Sequence, residues 1–71
     1  MEYRAVSSST VAAVAYDADT MTLGVQFHNG TEYQYLQVPL HVYEGLLGAG
    51  SPGTYFNQFV KAAGYAYVRV R

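Results

Sequence analysis

From Met21 to Phe27 apolar and polar residues alternate strictly, and after His28-Asn29-Gly30 the chain resumes with Thr31-Glu-Tyr-Gln-Tyr35. Alternation places every second side chain on one face of an extended strand, so this stretch reads as a hairpin with one buried face. Its register follows from what each alternative would bury. A two-residue Asn29-Gly30 loop sets Phe27 against Glu32 and Val25 against Gln34, placing a carboxylate on the core face. A three-residue loop with Gly30 left-handed sets Val25 against Tyr33 and Leu23 against Tyr35. Burying an unpaired charge costs several kcal/mol, roughly the larger of the two effects, so the second register is expected. Tyr33 and Tyr35 then face the core with their hydroxyls near its rim.

Upstream, Val11 to Tyr16 leans to a strand and Asp17-Ala-Asp-Thr20 to a turn, which would set Tyr16 opposite Met21 and Val14 opposite Leu23. Downstream, Pro39 suits a helix start, with Leu40, Tyr43 and Leu47 as its apolar stripe and Gly48 to Gly50 as a left-handed stop. Ser51-Pro52 begins a second helix whose stripe is Tyr55, Phe56, Phe59, Val60 and Ala63, ending at Gly64. Tyr65 to Arg71 alternates again as a final strand. The expected architecture is a single α+β domain over residues 1–71: a three-stranded antiparallel meander, two short helices on the Tyr33/Tyr35 face, and a C-terminal edge strand. Tyr16, Leu23, Val25, Phe27, Tyr33, Tyr35, Tyr43 and Phe56 are its expected core, while the place of residues 1–10 is open.

Size and charge narrow the function classes. The chain has 71 residues and no cysteine, so the fold must stand on packing or self-association, without disulfides or thiolate metal sites. Charged residues are only 13%, about half the usual share, which leaves a surface of neutral polar and aromatic groups. No secretory leader or membrane-spanning apolar run is visible, so a cytoplasmic setting without membrane contact is expected. The net charge of −1 disfavours strong attraction to a phosphate backbone, but it is unevenly spread. Residues 1–50 hold Arg4 against Glu2, Asp17, Asp19, Glu32 and Glu44, whereas residues 51–71 hold Lys61, Arg69 and Arg71 and no acid.

Set in order, Val6-Ser7-Ser8-Ser9, Tyr16-Asp17, Leu23-x-Val25-x-Phe27-x-x-Gly30-x-x-Tyr33-x-Tyr35-x-x-Val38-Pro39-x-x-Val42-Tyr43 and Ser51-x-Gly53-x-Tyr55-Phe56-Asn57 resemble the KTSC family over nearly the whole chain. That resemblance implies kinship with single-domain bacterial and phage proteins and with a C-terminal module of some lysyl-tRNA synthetases. The family has no established activity, and RNA binding is what the synthetase association implies. The neutral stretch after Lys61, Ala62-Ala-Gly64, departs from a more basic family pattern.

Candidate sites follow from residue chemistry. Gly48-Ala-Gly-Ser-Pro-Gly53 fits G-x-G-x-x-G, but that motif needs a preceding strand, and here a helix precedes it. What survives is an anion-binding helix start at Ser51, Gly53 and Thr54. Tyr65 and Tyr67 interleaved with Arg69 and Arg71, together with Arg4 and Lys61, form the candidate nucleic-acid surface, since stacking rings beside cations suit single strands. His28, His41 and Glu44 do not make a metal set, and Ser7 to Ser9 have no triad partners, so neither cofactor nor enzyme is expected. The sequence thus leaves a non-enzymatic binding module, with RNA through the C-terminal patch as one partner class. The alternative is another protein, or a second copy, on the uncharged sheet face of Ala13, Ala15, Thr22, Gly24, Gln26, Glu32, Gln34 and Leu36.

Overall fold

In the computed structural model, which describes residues 1–71, the chain forms one antiparallel sheet of five strands in sequence order. These are β1 (Arg4–Ala5), β2 (Val11–Asp17), β3 (Thr22–Phe27), β4 (Glu32–Tyr35) and β5 (Tyr67–Arg69). Between β4 and β5 run α1 (Leu40–Gly48), α2 (Pro52–Phe56) and a π-helical turn, Asn57–Lys61, that continues α2. The α+β class and the C-terminal edge strand are as expected. The three-stranded meander is not, because Arg4–Ala5 pairs with Ala13–Val14 and supplies a second edge. A two-residue exposed strand carries no alternation for a sequence reading to find.

The β3–β4 hairpin adopts the register that keeps Glu32 off the core: Val25 lies opposite Tyr33 and Leu23 opposite Tyr35. Its three-residue loop closes through Phe27 N–H to Thr31 C=O at 2.9 Å and Gly30 N–H to Phe27 C=O at 3.0 Å. Gly30 has φ 93°, a left-handed conformation that a side chain would strain. The β2–β3 hairpin differs from expectation by two residues. Asp17 pairs with Thr22, Tyr16 with Leu23 and Val14 with Val25, because Met21 takes a left-handed φ of 54° and leaves the ladder. The Met21 carbonyl instead accepts the Val38 amide at 2.8 Å. A two-residue slip preserves the faces, so the core side of β2 is unchanged.

The first helix uses a face other than the one the periodicity favoured, and the second buries only part of its expected stripe. In α1 the buried residues are Val42 and Leu46, while Leu40 and Leu47 are exposed and Tyr43 is half-buried. Nor does α1 stop left-handed, since its cap residue Ala49 is extended at φ −71°, ψ 139°. The second helix buries Pro52, Phe56 and Val60, and the π turn carries Phe59 and Ala63 outward. Gly64 does end it, at φ 82°.

The core lies between helices and sheet: Val11, Val14, Leu23, Val25 and Tyr35 from the strands meet Val38, Val42, Leu46, Phe56 and Val60. Fully burying an aliphatic side chain of this kind contributes about 1.5–3 kcal/mol, so these residues dominate the stability. Of the expected core, Leu23, Val25, Tyr35 and Phe56 are buried, whereas Tyr16, Phe27, Tyr33 and Tyr43 are half-buried and pack around its margin. No helix is long and apolar enough to cross a membrane.

The other sheet face is not bare. The N-terminal residues cross it, with the Tyr3 ring over Gly24, where an added Cβ would collide with the Tyr3 hydroxyl and crowd the Met1 sulfur. The Tyr3 hydroxyl donates to Glu32 Oε2 at 2.8 Å, and Gln26 Nε2 donates to Glu32 Oε1 at 3.2 Å. Burial, and then the Glu32 carboxylate, push the Tyr3 hydroxyl well above the usual phenol range. Arg71 reaches the same carboxylate at 3.7 Å. Glu32, the one acid expected on this face, is therefore held by three partners and covered in part by the N-terminal residues.

Candidate aromatic cleft

Alternation along β4 and β5 puts Tyr33, Tyr35 and Tyr67 on the helix-facing side of the sheet. Tyr35 lies directly opposite Tyr67 in the β4–β5 ladder. Tyr33 and Tyr35 stack at 6.3 Å, and Tyr67 tilts against both at 5.7 and 5.5 Å. From the helical side Phe56 meets Tyr35 and Phe27 edge to face, at 5.6 and 5.3 Å. These rings border a cleft of about 510 Å³ between the sheet and the π turn.

Its apolar lining is entirely aromatic: Phe27, Tyr33, Tyr35, Phe56, Tyr65 and Tyr67. Around these lie Lys61, Asn29, Asn57, Thr10 and Thr31, with no carboxylate. Asn57 and Lys61 both come from the π turn and line the cleft on that side. Lys61 has no ion-pair partner, since the one ion pair in the molecule joins Arg71 to Glu32. The Asn29 Oδ1 is already occupied by the amide and hydroxyl of Thr31, at 3.0 and 2.7 Å. Burial first, and the neighbouring Tyr33 and Tyr67 second, hold the Tyr35 hydroxyl above its ordinary range. The cleft is thus a neutral-to-cationic aromatic surface suited to a flat ring bearing negative charge.

Of the expected site residues, Lys61, Tyr65 and Tyr67 come together here. Arg69 lies opposite Tyr33 on the same sheet face, just outside the lining, with its Nε donating to the Arg71 carbonyl at 3.1 Å. Arg71 turns to Glu32, and Arg4 sits on β1, at the far edge of the sheet. The four cations therefore do not form one patch. Ser51, Gly53 and Thr54 do not line the cleft. Ser51 Oγ accepts the Thr54 amide at 3.4 Å and donates to the Thr54 hydroxyl at 2.9 Å, while Gly53 lies against Ser8. Ser8 acts in turn formation, its Oγ accepting the amides of Thr10 and Val11. No cluster of metal-ligating side chains is present.

Phe27 and Phe56 were legible only as core, and Tyr33 and Tyr35 as core in preference to a base-stacking platform, yet all four line the cleft. Asn57, Asn29, Thr10 and Thr31 carried no site signal in the sequence at all.

Fold and cleft together define a class: a small α+β domain in which an antiparallel sheet, continued on both sides of a helical insertion, presents tyrosines at one end. More specifically, the chain belongs to the KTSC domain family, whose sequence profile matches residues 7–70. It is 39% identical over 70 residues to an uncharacterized protein of Stutzerimonas stutzeri, covering 99% of each. It is also similar to part of a lysine–tRNA ligase of Nostoc, 43% identical over 53 residues, spanning 75% of this chain and 9% of the ligase. Among solved structures, a KTSC domain protein from Yersinia pestis superimposes with a TM-score of 0.89 at 31% identity, covering 99% of this chain and 97% of that one.

Proposed function

We propose that this domain is an RNA-binding module, of tRNA among other RNAs, and that the aromatic cleft is its binding surface. The observation that carries the reading is the convergence of six aromatic side chains and the unpaired Lys61 on a cleft without a carboxylate. Aromatic faces stack unpaired bases at about 1–3 kcal/mol per base, and a nearby ammonium or guanidinium adds phosphate attraction. The similarity to part of a lysine–tRNA ligase adds an association with tRNA. With a net charge of −1 the affinity rests on stacking more than on counterion release.

Fluorescence anisotropy with labelled single-stranded RNA at 50 mM salt tests this. Saturable binding that weakens at least about fivefold in Tyr67→Ala and falls as salt rises supports the reading. Absence of binding at low salt overturns it.

A second reading rests on a different observation: Val68 and Val70, 49% and 47% exposed, lie along the β5 edge beside Leu36. An apolar edge of this kind, continuous with the sheet's non-helical face, suits another protein or a second copy. Light scattering across a concentration series tests the second copy, and a strict monomer at high concentration rules it out.

A further inference from the structure

We infer, resting on the RNA reading of the cleft, that the site takes a single nucleotide, one unstacked base with one phosphate, and not a run of strand. The exposed ring of Phe59 stands outside the lining, packed on Tyr55, and the contiguous aromatic surface lies within the cleft. On one side Gly64 and Tyr65 separate it from a neighbouring depression, whose other lining residues are Thr20, Thr22, Leu36, Gln37 and Ala66. A strand continuing past Tyr65 would find there no cation and no further ring. It would also approach the Asp17–Thr20 turn, whose two carboxylates repel phosphate. On the other side the lining includes Asn29, in the His28–Gly30 turn. The His28 amide is bonded to the Thr10 carbonyl at 3.1 Å, and the His28 ring Nε2 donates to the Ser8 carbonyl at 2.8 Å.

The charge count agrees. Lys61 stands in the lining and Arg69 beside it, whereas Arg71 faces Glu32 and Arg4 lies on the opposite edge. Two cations neutralise one or two phosphates, far short of the extended basic groove that strand-tracking domains use. Within the cleft the rings supply the stacking surface, and Asn57, in the lining, carries a side-chain amide that can pair with a base edge. The volume of about 510 Å³ falls in the ordinary small-ligand range.

The test compares uridine, 5′-UMP, 5′-AMP and the hexanucleotides U6 and A6 by NMR titration of the intact domain, following Lys61, Tyr67 and the Asn57 side-chain amide. The expected result is that each mononucleotide binds within about threefold of its hexanucleotide once the six equivalent positions of the latter are divided out. The salt slope is expected at about −0.7 to −1.4, as for one or two phosphates on a single strand. Uridine should bind about three- to tenfold more weakly than UMP, and Lys61→Gln should remove that difference. A hexanucleotide more than tenfold tighter after correction, with a steeper slope, overturns the single-nucleotide inference while leaving the RNA reading intact. Binding of neither mononucleotide nor hexanucleotide overturns both. Binding that shifts resonances elsewhere and is unmoved by Tyr67→Ala and Lys61→Gln also overturns both.

Discussion

Tyrosines occupy both ends of the helix-facing side of the sheet, but they are used differently. At one end Tyr16 stacks on Tyr43, ring centroids 5.4 Å apart and planes 17° from parallel, and its hydroxyl donates to the Val38 carbonyl at 2.6 Å. The Val38 amide is held by Met21, so both backbone groups of this fully buried residue are satisfied and the β4–α1 connection is locked. At the other end Tyr33, Tyr35, Tyr65 and Tyr67 surround open space, and the hydrogen bonds that organise that end come from Ser8, Asn29 and the backbone instead of from these hydroxyls. The same residue type closes the fold where its hydroxyl finds a partner and opens a site where it does not.

Alanine should break the comparison most visibly. Tyr16→Ala removes a packed ring and leaves the Val38 carbonyl without its donor, and should cost about 2–4 kcal/mol in urea unfolding. Tyr67→Ala, at a position 59% exposed, should cost less than about 1 kcal/mol. Equal losses would mean that the open end is as structural as the closed one. Phenylalanine sharpens the contrast, since it keeps the ring and deletes only the hydroxyl. Tyr16→Phe should lose about 1–2 kcal/mol and Tyr33→Phe stay within about 0.5 kcal/mol of the parent by the same measurement.

A pH series probes the open end alone. The Tyr35 pKa is raised on folding, so the folded chain holds that proton more tightly than the unfolded one. Its contribution is complete below the ordinary tyrosine value of about 10 and is lost as pH rises beyond it. The Tm of the parent should therefore fall more steeply than that of Tyr35→Phe as pH rises above about 10; identical slopes would exclude the effect. Smallest of all is Lys61→Gln, which removes an exposed, unpaired charge and should change stability by less than about 0.5 kcal/mol.

These contrasts also explain which parts of the molecule could be read in advance. The β3–β4 register was legible because a wrong choice buries Glu32. The β2–β3 register was not, because a slip of two residues leaves the same side chains inside and the deciding bond, Met21 to Val38, joins distant segments. In α1, Leu40, Val42, Tyr43, Leu46 and Leu47 offer two overlapping apolar stripes, and only the approach of the helix to the sheet selects Val42 and Leu46. Lys61, Tyr65 and Tyr67 could be picked out by composition, but the cleft needed tertiary contact to join them to β4. Tyr3 had one clue, a glycine at the centre of β3, where a strand admits close approach from another group.

The π turn has a mechanical consequence for the cleft. One wall is the interior of the sheet, with β4 bonded on both sides, to β3 and to β5. The other is a short stretch whose hydrogen bonds span five residues, as in Ala62 N–H to Asn57 C=O at 3.0 Å, and whose Asn57, Gln58, Phe59 and Lys61 are exposed. Such turns are less favourable than α-helix and sit at the low-stability end of a fold. The cleft is built like a vice with one fixed jaw, and amide exchange should be slow along β4 and fast along Asn57–Lys61. Any guest is accommodated by yielding of the helical jaw, so the tyrosines of β4 set the shape to which the rest adjusts.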